Sequence, residues 1–137
     1  MPTNECSLIK LPQFLDSRGE LTCAEYKNQI PFEIRRIFFI TGIPEGAQRA
    51  GHAHKTLEQV IIPISGSFDV HLDDGHTQKS IHLDSNSLAL YICPMVWKLL
   101  DNFSTDATCL VLASSFYDVT DCYNEYDEFI RDMSKRG

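Results

Sequence analysis

His52 and His54 lie one residue apart in the segment Arg49-Ala50-Gly51-His52-Ala53-His54. On an extended strand, side chains two apart point the same way, so the two imidazoles share a face. Imidazole titrates near neutrality and can take up a proton and return it within one turnover. Arg49 adds a permanent cation that can offset developing negative charge. A His-x-His pair also arises on exposed edge strands with no role. The surrounding sequence favours a site: an arginine three residues upstream, an apolar stretch over Val60–Gly66, then a glycine turn.

The elements that must hold this pair read as strands. Asp16-Ser17-Arg18-Gly19 is a turn, followed by a strand near Glu20–Tyr26. Ile34–Ile40 is β-branched and aromatic and runs into the Gly42–Gly46 loop. Leu57–Ile64, Phe68–Leu72, Ser80–Leu83, Leu88–Ile92, Trp97–Leu100 and Thr108–Ala113 continue the series. Turn residues recur about every ten residues, the pattern of an all-β sandwich or barrel. Only the end is helical: Tyr126, Phe129, Ile130 and Met133 fall on one face of a short amphipathic helix.

The 137 residues fit one domain over 1–137, with 43% hydrophobic and 23% charged content. A net charge of −7 argues against a nucleic-acid-binding surface, which needs a basic face. Seven of the twelve basic residues nevertheless lie between Lys10 and Lys55, leaving room for a local anion site. The five cysteines are odd in number, widely spaced and without C-x-x-C, so free thiols in a reducing cytoplasm are expected. No apolar run approaches the ~18–20 residues of a membrane span. No phosphate-cradling glycine loop of the P-loop or Rossmann kind occurs.

Metal binding is the first chemistry to test. Metal-binding cupins, jelly-roll barrels with His-x-His in an open mouth, carry a glycine separated from the pair by five residues, a later glutamate and a late histidine. Gly46 and Glu58 fit that pattern, but Trp97-Lys98-Leu99-Leu100 contains no histidine where the last ligand should fall. Two histidines and one carboxylate make a poor site, so no metal and no cofactor is expected. A histidine pair without metal suits proton transfer.

Several further segments carry a resemblance over nearly the whole chain. Arg49–Lys55, Leu57-Glu58-Gln59-Val60, Ser65-Gly66-Ser67, Leu72-Asp73-Asp74-Gly75, Leu90-Tyr91-Ile92, Val96-Trp97, Leu110–Ser114 and Tyr126–Phe129 resemble the dTDP-sugar 3,4-ketoisomerases. Asp16–Gly19 and Ile30–Arg36 fit as well. The resemblance implies a small cupin-type jelly-roll barrel with a short C-terminal helix, and a homodimer with an exchanged N-terminal strand. It implies transfer of the keto group of dTDP-4-keto-6-deoxyglucose from C4 to C3, ahead of amination to 3-amino-3,6-dideoxy sugars of cell-surface glycans or antibiotics. His52 is then the leading candidate for the base, and His54 its acid or relay. Arg49 is expected to face the nucleotide-sugar, with Arg18 and Arg36 as further candidates and Trp97 as a stacking surface for thymine. The chain departs from the family at Phe38 and Phe39, where paired tyrosines are common, and at Lys98, where a histidine is common. Phe39 and Lys98 are therefore substrate-facing positions whose chemistry has changed. Three alternatives stay open at this point: a nucleotide-sugar epimerase, a sugar-binding cupin without catalysis, and a metal-dependent oxygenase.

Overall fold

A computed structural model describes residues 2–136. Twelve strands and one helix follow in order: β1 (Ser7–Lys10), β2 (Gln13–Asp16), β3 (Gly19–Thr22), β4 (Arg36–Ile40), β5 (Arg49–His54), β6 (Gln59–Ser65), β7 (Phe68–Asp73), β8 (Gln78–Leu83), β9 (Leu88–Ile92), β10 (Trp97–Asp101), β11 (Thr108–Ala113), β12 (Cys122–Tyr123) and α1 (Tyr126–Arg136). Two five-stranded antiparallel sheets form, β1-β9-β6-β11-β4 and β12-β5-β10-β7-β8. From β4 onward consecutive strands switch sheets, apart from the β7–β8 hairpin, which gives the expected all-β jelly-roll barrel with a short C-terminal helix. No helix among the described residues is long and apolar enough to cross a membrane.

The apolar pattern explains the layers. In β7, Phe68, Val70 and Leu72 are buried while Asp69, His71 and Asp73 alternate outward. Those three pack with Ile61, Leu83, Leu90 and Leu100 between the sheets. In β6, Val60, Ile61 and Ile62 are buried in succession, so both faces of that strand are covered. Ile61 points to the inter-sheet core, whereas Val60 and Ile62 pack beneath Leu11, Ile30 and Phe32. Helix α1 lies against the second sheet, with Phe129 and Met133 buried on Ala53, Met95 and Tyr123.

Local irregularity sets the geometry of β5. The register against β10 pairs Lys98 with His52 and Leu99 with Ala50, so Gly51 is an extra residue opposite the bond between them. Its φ of +78° is the left-handed conformation that glycine adopts without a Cβ penalty. Strict alternation would send Arg49 and His52 to opposite faces. The bulge adds one residue, and both side chains line the same cavity. An alanine Cβ at position 51 would meet only ordinary contacts, with Leu99 and Trp97 at 4.0 Å. Gly51→Ala is therefore expected to cost about 1–2 kcal/mol through backbone strain alone. Urea denaturation checks this, and an unchanged midpoint would show that the left-handed bulge is not required.

Some expectations shift. The strand near Glu20–Tyr26 is the shorter β3, paired with β2 in a hairpin that hydrophobic patterning did not isolate. Leu57 and Glu58 precede β6, because hydrogen bonds from the Thr56 and Leu57 amides to Asp121 hold that segment out of the sheet.

Candidate active site

A cavity of about 480 Å³ opens between the sheets at one end of the barrel. Arg36, Phe38 and Ile40 of β4 line one wall, and Arg49, His52 and His54 of β5 another. Gln59 and Ile61 of β6 and Lys98 and Leu100 of β10 form the floor. The segment after β11 closes the rim with Phe116, Tyr117, Asp118 and Asp121. Apolar walls with a few convergent polar groups are the general form of a small-molecule site.

Both histidines are held neutral around pH 7. Burial pushes His54 down to about 4, helped by the Lys98 cation and opposed by Asp121. Its Nδ1 lies 3.8 Å from Asp121 Oδ2. Asp121 is itself fixed, accepting from the Thr56 amide and hydroxyl and from the Leu57 amide. His52 is also lowered, first by burial, then by Lys98 and Arg49, while a hydrogen bond with Asn124 works the other way. Its Nδ1 is buried with no hydrogen-bond partner among the described residues. A neutral imidazole with an uncommitted nitrogen is suited to accept a proton.

The His54 shift has a consequence for stability. Between pH 6.5 and about 4 the unfolded chain binds a proton at this histidine that the folded chain does not. Stability from this group is complete above 6.5 and declines as pH falls toward 4. The His54→Asn variant should lose less stability than the parent across that window in paired urea titrations. Parallel losses in the two proteins would contradict the buried neutral imidazole.

Lys98 is the remaining cation of the floor. Its ammonium is buried, donates to Gln59 Oε1 and is pushed down to about 8 by desolvation. Lys98 and His52 are register partners on adjacent strands and share the cavity face. Arg36 sits between aromatic rings, 5.2 Å from the Phe38 centroid and 5.6 Å from that of Tyr117. Its Nε is buried without a partner, a donor free for an anionic ligand.

The structure thus brings together Arg36, Arg49, His52, His54 and Lys98 from the residues singled out in the sequence. It leaves three outside this chain's cavity. Trp97 turns away from Lys98 by strand alternation and packs edge-on against Tyr126 and beside Phe129, so thymine stacking by Trp97 is corrected to a core role under α1. Phe39 turns away from cavity-lining Phe38 and is 68% exposed on the outer face of β4. Arg18 lies in the β2–β3 turn, exposed and paired with Asp16 at 2.6 Å. Glu58, the carboxylate weighed as a metal ligand, instead accepts from the Tyr91 hydroxyl at 2.6 Å.

Sequence reasoning missed Gln59, Asn124, Asp121 and the aromatic rim Phe116-Tyr117. Asp121 lies in an acidic C-terminal stretch with Asp118, Glu125, Asp127, Glu128 and Asp132, where its type alone does not single it out. The one local sign was Asp118, which caps the short 3-10 turn Val119–Asp121 by accepting from the Thr120 amide.

A two-sheet jelly roll with a paired-histidine cavity at its open end defines a cupin-type protein. The FdtA family model, described as WxcM-like, C-terminal, matches residues 4–134. The TDP-4-oxo-6-deoxy-α-D-glucose-3,4-oxoisomerase of Aneurinibacillus thermoaerophilus is 41% identical over 131 residues, spanning 96% of this chain and 94% of that protein. QdtA, a sugar 3,4-ketoisomerase from Thermoanaerobacterium thermosaccharolyticum solved with TDP, matches at TM-score 0.92 and 40% identity over 96% of each chain. WlaRB, a TDP-quinovose 3,4-ketoisomerase from Campylobacter jejuni, matches at TM-score 0.88 and 42% identity over 92% of this chain and 97% of its own. The chain belongs to this family of sugar 3,4-ketoisomerases, as the sequence resemblance implied.

Proposed function

We propose that the protein converts dTDP-4-keto-6-deoxyglucose to its 3-keto isomer, with His52 as the base that takes the C3 proton. The observation that carries this reading is the pairing of a neutral, unsaturated imidazole at His52 with the buried ammonium of Lys98 on the adjacent strand. His52 removes the C3 proton, and the electrons move toward O4 to give an enediolate. Lys98 and Arg49 offset that charge. The hydroxyl proton passes from O3 to O4, with His54 as a neutral relay rather than an acid, because its imidazolium is scarce near pH 7. The His52 imidazolium, after exchange with solvent, then delivers a proton to C4, which restores the neutral imidazole and leaves the carbonyl at C3. Arg36, with its free Nε, and the Phe116-Tyr117 rim suit the diphosphate and the thymine.

A homodimer fits the remaining surface. The β2–β3 hairpin exposes Phe14, Leu15 and Leu21, and β4 exposes Ile37 and Phe39. An apolar groove of about 300 Å³ runs beside them, lined by Leu11, Ile34, Ile62, Leu110 and Leu112 among others. Apolar exposure of this kind is suited to a second copy. Exchange of the N-terminal segment would move Arg18 away from its own barrel and toward the partner's site.

Incubation with dTDP-4-keto-6-deoxyglucose in deuterated water, followed by NMR, tests the activity. The expected product is a 3-keto sugar carrying deuterium at C4, with couplings that give the C4 configuration. Deuterium at C3 or C5 without keto migration would favour an epimerase instead. Nucleotide binding with neither exchange nor product would favour a sugar-binding cupin that has lost catalysis.

A further inference from the structure

We propose that the outer face of the second sheet binds one divalent transition cation of the zinc class through Asp69, His71 and Asp101. This face is remote from the chemistry above: Lys98 and Leu100 point into the barrel, whereas Asp101, two strand positions beyond Leu99, points out. Asp69 and His71 lie two apart on β7 and share that outer face. The β7–β10 register sets Asp101 directly opposite Asp69, with His71 opposite Leu99. One ligand atom from each of Asp69, His71 and Asp101 lies within 4.8 Å of the other two. Small side-chain adjustments would seat an ion about 2.0–2.2 Å from each donor.

Three features favour a cation over a chance cluster. Two carboxylates directly opposite across a strand pair repel one another unless positive charge separates them. His71 reaches across that gap, with its Nε2 2.7 Å from Asp101 Oδ1. Two of the three ligands, His71 and Asp69, also have an outer partner that orients them, as metal ligands commonly do. Ser80 Oγ lies 2.8 Å from His71 Nδ1, and accepting the proton there leaves Nε2 as the donor to metal. His82 Nδ1 lies 2.6 Å from Asp69 Oδ1, and Asn102 donates to Asp69 Oδ2 at 3.0 Å. One imidazole and two carboxylates suit zinc and its neighbours, and the half-exposed position leaves the remaining coordination to water.

The test is equilibrium dialysis of chelator-stripped, full-length protein against zinc chloride. One equivalent should bind, with affinity reduced at least about tenfold in both His71→Gln and Asp101→Asn. Binding should persist in the His52→Asn/His54→Asn double variant, which removes the only other close histidine pair in the sequence. At free zinc 100 times the Kd, the folded-to-unfolded ratio of the parent should rise about 100-fold, read as a higher Tm. His71 and Asp101 are partly solvent-facing, so circular dichroism should show both variants folded. The proposal is overturned by less than one equivalent in the parent, by unchanged binding in His71→Gln and Asp101→Asn, or by binding that vanishes with His52 and His54 instead.

Discussion

His52→Asn is expected to lower kcat about 10²–10⁴-fold, the usual contribution of a positioned general base. Asparagine keeps a polar side chain of similar reach but cannot accept and hold a proton. The fold should survive, because His52 is only half-buried and the substitution gives up a single hydrogen bond, the one with Asn124. Affinity for dTDP should stay within a factor of about three, since the residues suited to the nucleotide lie on β4 and the rim. The measurement is steady-state turnover beside calorimetric titration with dTDP. Substantial turnover in the variant would remove His52 from the role of base. The parent should also lose activity in acid. Burial and the neighbouring cations put the His52 titration below the ordinary imidazole value, so the acid limb of kcat/KM should be centred below that of a free histidine.

Lys98→Met should lower kcat about 10²–10³-fold, the effect of removing one preorganised group that stabilises developing oxyanion charge. The buried ammonium titrates at about 8, so the parent should lose activity as pH rises through that value. The Met variant should lack this alkaline limb while keeping the acid limb that His52 sets. Stability provides an independent reading. Between about 8 and 10.5 the unfolded chain keeps a proton on Lys98 that the folded chain releases. Parent stability therefore rises with pH across that window, and the variant should not show this rise. Gln59 loses its donor in Lys98→Met, so the absolute stability combines relief of a buried charge with an unsatisfied amide oxygen. An unchanged alkaline limb in the variant would assign that titration to another group.

The same lysine explains how a departure from the family pattern can remain compatible with catalysis. A histidine at this position could exchange protons near neutrality. Lys98 reaches a comparable range by a different route: desolvation in the barrel lowers an ammonium by more than two pH units, from 10.5 to about 8. Phe38 has no such replacement. It lines the cavity as an apolar wall and stacks with Arg36, so the position keeps the aromatic face a tyrosine would offer and loses the hydroxyl.

The sequence by itself determined the fold class and most of the central site. Two-residue periodicity in β7 was strong enough to assign a strand, because one of its faces is buried and the other is not. The helix was equally legible, since Phe129 and Met133 lie one turn apart and both are buried. His52, His54 and Arg49 were identifiable because they occupy six consecutive residues, where local spacing nearly fixes spatial proximity. Only the tertiary structure decided the rest. The Gly51 bulge, which puts Arg49 and His52 on one face, depends on the register with β10, a strand more than forty residues later. Which member of Trp97-Lys98 and of Phe38-Phe39 turns inward depends on the same long-range pairing, since a one-residue shift in register exchanges the two faces. Asp121 and Asn124 reach the histidines because β12 pairs with β5 across nearly seventy residues, and no local pattern encodes that approach.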